Sequence, residues 1–134
     1  MEERTYGGKR GHEGTDLMPP TNQRGFYPVF SATAGTVEHM GWLQKGGWRI
    51  GIRSEQGGYF YYAHLSEYAP GMEEGKTVEA GEMLGYMGDS GYGEEGTVGQ
   101  FAVHLHFGIY IQTADGREVG VDPYWILKGL EGEP

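Results

Sequence analysis

The sequence predicts a mostly β, single-domain fold, for three reasons. Its apolar segments are short and rich in Val, Ile, Tyr, Phe and Trp, residues that fit a pleated, half-buried surface. Glycine punctuates them throughout, with 26 among 134 residues, too many for long helices at about 1 kcal/mol each. Two segments alternate apolar and polar side chains with the period of a strand. A chain of this length buries roughly two thirds of its unfolded surface around one core, so residues 1–134 are expected to form one domain.

The opening stretch through Pro20 reads as irregular, because Gly7, Gly8, Gly11 and Gly14 oppose a helix and Pro19-Pro20 closes any candidate. His12 and Asp16 therefore belong to a loop or a strand end. A strand-like pattern begins at Val29 and continues through Gly35-Thr36-Val37 towards Trp42. In 48–53, Trp48, Ile50 and Ile52 alternate with Arg49, Gly51 and Arg53, and Gln56-Gly57-Gly58 then turns the chain into 59–66. These two segments are expected to pair as a hairpin whose second arm carries His64. Residues 74–85 are short extended pieces between glycines, and 88–99 is a polar, Gly-rich loop expected to be exposed and mobile. A strand over 103–111 follows, with a turn at Ala114-Asp115-Gly116. Asp122-Pro123 then matches an N-cap and first helical proline, predicting one short C-terminal helix over 124–128.

Charge and composition exclude several functions. Ten basic against nineteen acidic residues give a net charge of -9, which repels a phosphate backbone, so no nucleic-acid partner is expected. With no cysteine, any metal must be held by nitrogen and oxygen. No stretch reaches the roughly 20 apolar residues of a membrane span, and Met1 to Arg10 is polar and Gly-rich rather than signal-like. The chain is expected to be a monomer.

The chemistry concentrates in the histidines. In 103–111, Val103, Leu105, Phe107, Ile109 and Ile111 form one apolar face, which places His104 and His106 together on the other with Gly108 and Tyr110. Two imidazoles so placed either share a metal, or one binds metal while its neighbour handles protons. With His12 and Asp16, they supply the donors of an open zinc site, in which three protein ligands leave a fourth position for water. His39, a lone strand histidine, reads as an ordinary hydrogen-bonded residue.

Arg10-Gly11-His12-Glu13-Gly14-Thr15-Asp16, Tyr62-Ala63-His64-Leu65-Ser66 and His104-Leu105-His106-Phe107-Gly108 resemble the three motifs of lysostaphin/LytM-type zinc endopeptidases that cut peptidoglycan. Residues 74–85 and Val121-Asp122-Pro123 are similar too, so the likeness runs over about 10–124. It implies an antiparallel β-sheet or sandwich of the duplicated hybrid motif type and one Zn2+ per chain on His12, Asp16 and His106. It further implies His64 and His104 as unligated catalytic histidines, peptidoglycan as substrate, and an extracellular or cell-envelope location. Tyr62 and Tyr110 are candidates for lining a substrate groove, as is Tyr61. The chain departs from the family pattern in a longer loop before His104, where Gln100-Phe101-Ala102-Val103 replaces the usual Gly-Pro approach. Two alternatives are a catalytically silent wall-binding or amidase-activating domain, and a IIA-like phosphohistidine carrier.

Overall fold

A computed structural model describes residues 14–121. His12, Asp122-Pro123 and the helix expected over 124–128 lie outside them. The described chain is a nine-stranded antiparallel sheet: β1 (Thr15–Leu17), β2 (Pro28–Phe30), β3 (Gly35–Leu43), β4 (Gly47–Ser54), β5 (Tyr59–Tyr68), β6 (Thr77–Val78), β7 (Met83–Met87), β8 (Leu105–Gln112) and β9 (Glu118–Val121). The order is β1-β8-β5-β4-β3-β6, with β9 on β8 and with β7 joining β5 to β2.

The expected hairpin is β4 and β5, which pair from Arg53↔Tyr59 to Trp48↔Leu65. Residues 74–85 supply β6 and most of β7, as the glycine spacing suggests. The opening stretch is more regular than expected. Asp16 pairs with His106 and Leu17 with Leu105, so β1 is a short strand laid along β8.

Core residues come from every long strand and from β2, β6 and β7. Val37, Ile50, Ile52, Tyr62, Leu65, Val78 and Leu84 are at most 1% exposed, and each such aliphatic side chain contributes about 1.5–3 kcal/mol by leaving water. Leu105, Phe107 and Ile109 join them from β8, as the alternation requires. Ile111 departs from that face. It lies 43% exposed at the end of β8, past the strands that cover the core.

One irregularity positions the functional face. Trp48 pairs with Leu65 but Ile50 pairs with Tyr62, so β5 spends two residues where β4 spends one. His64 occupies this bulge with φ of 67°. Simple alternation from Tyr62 would send His64 into the core. The bulge sends Leu65 there instead and releases the imidazole to the opposite face, the kind of re-aiming for which bulges are used.

The bulge opens a gap in the β4–β5 ladder, and Ser90 fills it. The Ser90 hydroxyl accepts from the Trp48 amide at 3.1 Å and donates to the Leu65 carbonyl at 2.7 Å, and the residue is fully buried. This corrects the expected exposure of 88–99 in its first part only: Gly88 to Gly91 are buried, while Tyr92 and Glu94 to Gly96 are exposed as expected. Arg24 pairs with Asp89 at 2.7 Å, Gly93 donates to Gln44 O at 3.1 Å, and Trp42 donates to Gly93 O at 3.2 Å.

Ser90→Ala would leave the Trp48 amide and Leu65 carbonyl buried without a partner. Its expected cost is about 2–4 kcal/mol, read as a lowered denaturant midpoint with an unchanged m-value.

Candidate active site

Three imidazoles and one carboxylate meet on the face of the sheet away from the core. Asp16, His106 and Ala63 form a row across β1, β8 and β5, directly opposed residues whose Cβ atoms are about 5 Å apart. Asp16 Oδ1 stands 2.8 Å from His106 Nδ1 and 3.7 Å from His104 Nε2. The His64 ring lies 4.8 Å from that of His104 and 6.3 Å from that of His106, centre to centre. Four of the five residues expected at the site therefore converge. His12, the fifth, lies outside the described residues.

Carbonyl oxygens orient both unligated candidates. His64 Nδ1 lies 2.7 Å from Ser90 O and His104 Nδ1 lies 2.9 Å from Ala102 O. A carbonyl only accepts, so each Nδ1 carries the proton and each neutral ring keeps its lone pair on Nε2. Burial pushes the His64 imidazolium down to about 4, against the opposing bond to Ser90 O. The hydrogen bond from His106 holds the Asp16 carboxyl below its ordinary range, with the charges of His104, His106 and His64 acting in the same direction.

Glycine permits the close approach of β1 to β8. Gly14 has φ of 108°, and a Cβ there would meet Phe107 O at 2.7 Å and His106 Nε2 at 2.9 Å. Its place between His12 and Asp16 is thus a steric requirement.

Asp16 and His106 are donors suited to a borderline divalent ion such as zinc. Two ligand atoms sharing a tetrahedral zinc stand about 3.4 Å apart. The observed pair needs to open by about half an ångström, a side-chain rotation for the exposed Asp16. No group of three or more metal-binding side chains occurs among the described residues, so the set fits the ion one ligand short.

Loop residues that sequence reasoning missed complete the cleft. Phe101 meets His64 at 4.7 Å and His104 at 5.0 Å edge-on, while Tyr92 stacks on His64 at 6.0 Å. The long approach to His104 is therefore an apolar wall against both imidazoles. Its only signal in the sequence was aromatic residues in an otherwise polar loop. A cavity of about 160 Å³ lies between Lys45, Tyr61, His64, Tyr92 and His106.

The tyrosine candidates separate. Tyr62 is 1% exposed and turns its hydroxyl to the core side, where its oxygen accepts from the Ala32 amide at 2.9 Å. This corrects its expected place in a groove: it is a core residue, because it precedes the bulge on the inward-facing register. Tyr61 borders the cavity, and Tyr110 lies further along the open face beside Tyr59. His39 bonds Tyr59 Oη at 3.0 Å, the ordinary role expected. A larger cleft of about 590 Å³ between Phe60, Ile109, Ile111 and Val121 carries no ionisable group among its lining residues.

The antiparallel sheet brings imidazoles and a carboxylate from adjacent strands into one His/Asp cluster. The chain belongs to peptidase family M23, whose family model matches residues 10–123. It is 46% identical over 129 residues to an L-Ala–D-Glu endopeptidase of Bacillus subtilis, covering 96% of this chain and 38% of that protein. A solved structure from Ruminococcus gnavus, a lytM protein to which glycyl-glycine endopeptidase activity is ascribed, is 60% identical with a TM-score of 0.85. The match covers 96% of this chain and 51% of that one. The catalytic domain of lysostaphin from Staphylococcus simulans is 30% identical with a TM-score of 0.65, covering 87% of this chain and 79% of that one. The chain thus spans about half or less of the first two relatives.

Gly14→Ala is expected to force β1 off β8. Zinc affinity, read by chelator competition, should fall at least about tenfold, with a loss of about 2 kcal/mol or more in stability.

Proposed function

We propose that this chain is a zinc-dependent endopeptidase domain that hydrolyses peptide bonds in peptidoglycan stems or cross-bridges. It would act as a monomer outside the cytoplasm with one zinc on His12, Asp16 and His106. The observation that carries this reading is the convergence of the Asp16 and His106 donor atoms with the Nε2 lone pairs of His64 and His104, in a chain that belongs to family M23. The names of the relatives, endopeptidases and a lysostaphin, support the substrate.

Zinc, when bound, supplies Lewis acidity that polarises a scissile carbonyl and acidifies water. Asp16 and His106 would orient their donors through the β1–β8 pairing, without a conformational search. Between them, His64 and His104 would take a proton from the attacking water, return one to the departing amine and stabilise the carbonyl oxygen as charge develops. Phe101 and Tyr92, packed on the His64 ring, would shield that transfer on one side.

The phosphohistidine alternative fits poorly. The Asp16 carboxylate, 2.8 Å from His106 and 3.7 Å from His104, puts negative charge where a phosphoryl group would sit. A silent wall-binding or amidase-activating domain would have no need of two carbonyl-oriented imidazoles with free Nε2 atoms.

Metal content and fragment release from purified walls test the proposal together. The wild type is expected to hold about one zinc per chain and to release peptide fragments seen by mass spectrometry. Asp16→Ala should lose both metal and activity. By contrast, His104→Ala should keep zinc while turnover drops by about 10²–10⁴; loss of zinc there would mean that the roles of His104 and His106 are exchanged. Zinc-loaded wild type that cleaves no wall peptide would refute the reading.

A further inference from the structure

One cation, Lys45, lines the active-site cavity and is not used by the reaction. Six Lys and Arg fall among the described residues, and five are committed. Arg24 pairs with Asp89, Arg53 with Glu38 and Glu118, Lys76 with Glu82 and Arg117 with Asp115. Arg49 donates to the Met40 carbonyl. Among the described residues, Lys45 alone has a charged head with neither ion pair nor hydrogen bond, and it lines the cavity beside His64 and His106.

Its place is fixed from both sides. The next residue, Gly46, accepts the His64 amide at 2.7 Å, and the preceding Gln44 accepts the Gly93 amide at 3.1 Å. Gly91 packs its Cα against the Lys45 carbonyl so closely that a Cβ would not fit. The backbone is held at the rim of the cavity while the ammonium has no partner among the described residues. In a chain of net charge -9, the long-range field repels acidic solutes. A solitary ammonium at the cleft opposes that locally.

We propose that Lys45 selects a peptide with a free carboxylate on the residue next to the scissile amide. The assignment rests on the endopeptidase reading above and narrows it. An L-Ala–D-Glu bond, the bond named for the Bacillus subtilis relative, has a Glu on its amine side, which keeps one carboxylate beyond the one that extends the chain. A Gly–Gly bond, as ascribed to the Ruminococcus gnavus protein, carries none. A cavity of about 160 Å³ holds a small acidic group rather than a bulky one. The pairing is charge-assisted but partly exposed, so its contribution is expected to be about tenfold and to shrink with salt.

The test uses zinc-loaded protein and four synthetic peptides: a stem peptide with free carboxylates, the same peptide amidated at the residue after the scissile bond, the same amidated at its C-terminus, and pentaglycine. The wild type is expected to favour the free peptide over the first amide about tenfold in kcat/KM, through KM, and to ignore the C-terminal amide. In Lys45→Met the ratio should fall to near one, and Lys45→Arg should restore part of it. Calorimetric titration of zinc-loaded His104→Ala should show the same ratio in binding. Lys45 is exposed, so an unchanged unfolding midpoint confirms that the variants fold. Equal cleavage of free and amidated peptides, a ratio that survives Lys45→Met, a preference that follows the C-terminal carboxylate, or cleavage of pentaglycine alone would each overturn the proposal and leave the endopeptidase reading intact. Failure to cut any of the four, with no difference in binding, would remove both.

Discussion

The active face depends on the hydrogen bonds of Ser90. One residue too many in β5 turns His64 outward at φ 67°, a conformation that costs a non-glycine residue about 1–2 kcal/mol and breaks the ladder beside it. The Ser90 hydroxyl restores the ladder between the Trp48 amide and the Leu65 carbonyl. Its own carbonyl then holds His64 Nδ1. A single buried residue therefore repairs the defect, fixes the tautomer and anchors the loop from which the aromatic wall projects.

The other half of the site obeys a different constraint. Asp16 and His106 are direct partners across β1 and β8, so a register set by burial of Leu105 and Phe107 also sets the separation of the two donors. A slip of one residue would bury His106 and expose the core. Gly14 lets the two strands approach, and the strength of packing beneath β8 then becomes the precision with which Asp16 and His106 are placed above it. Stability and chemistry share the same register.

Much of this was legible in the residues themselves. Alternation in 103–111 placed His104 and His106 on one face, and the structure keeps them there, because burying Val103, Leu105, Phe107 and Ile109 leaves no other register. The 48–53 and 59–66 hairpin was equally readable from its turn. Tyr62 and the first part of the loop, Gly88 to Gly91, were misread for one reason. Bulges and plugged gaps are properties of two segments meeting, and neither Tyr62 nor Ser90 differs in local pattern from an exposed residue. The nearest signals were Gly88 and Gly91, which flank Asp89-Ser90 where backbones approach closely.

Sequence alone determined the chemistry available to this protein: imidazoles and a carboxylate without thiols, on short strands whose apolar faces dictate which way they point. That follows because strand alternation and ligand type are local properties. Tertiary structure decided which imidazole turns outward at the bulge, which nitrogen of each keeps its lone pair, and which cation is left unpaired beside them. The His104 tautomer rests on Ala102, two residues away, but the others depend on distant partners, such as Ser90 for His64, and a one-dimensional pattern cannot encode a hydrogen bond whose two ends it does not bring together.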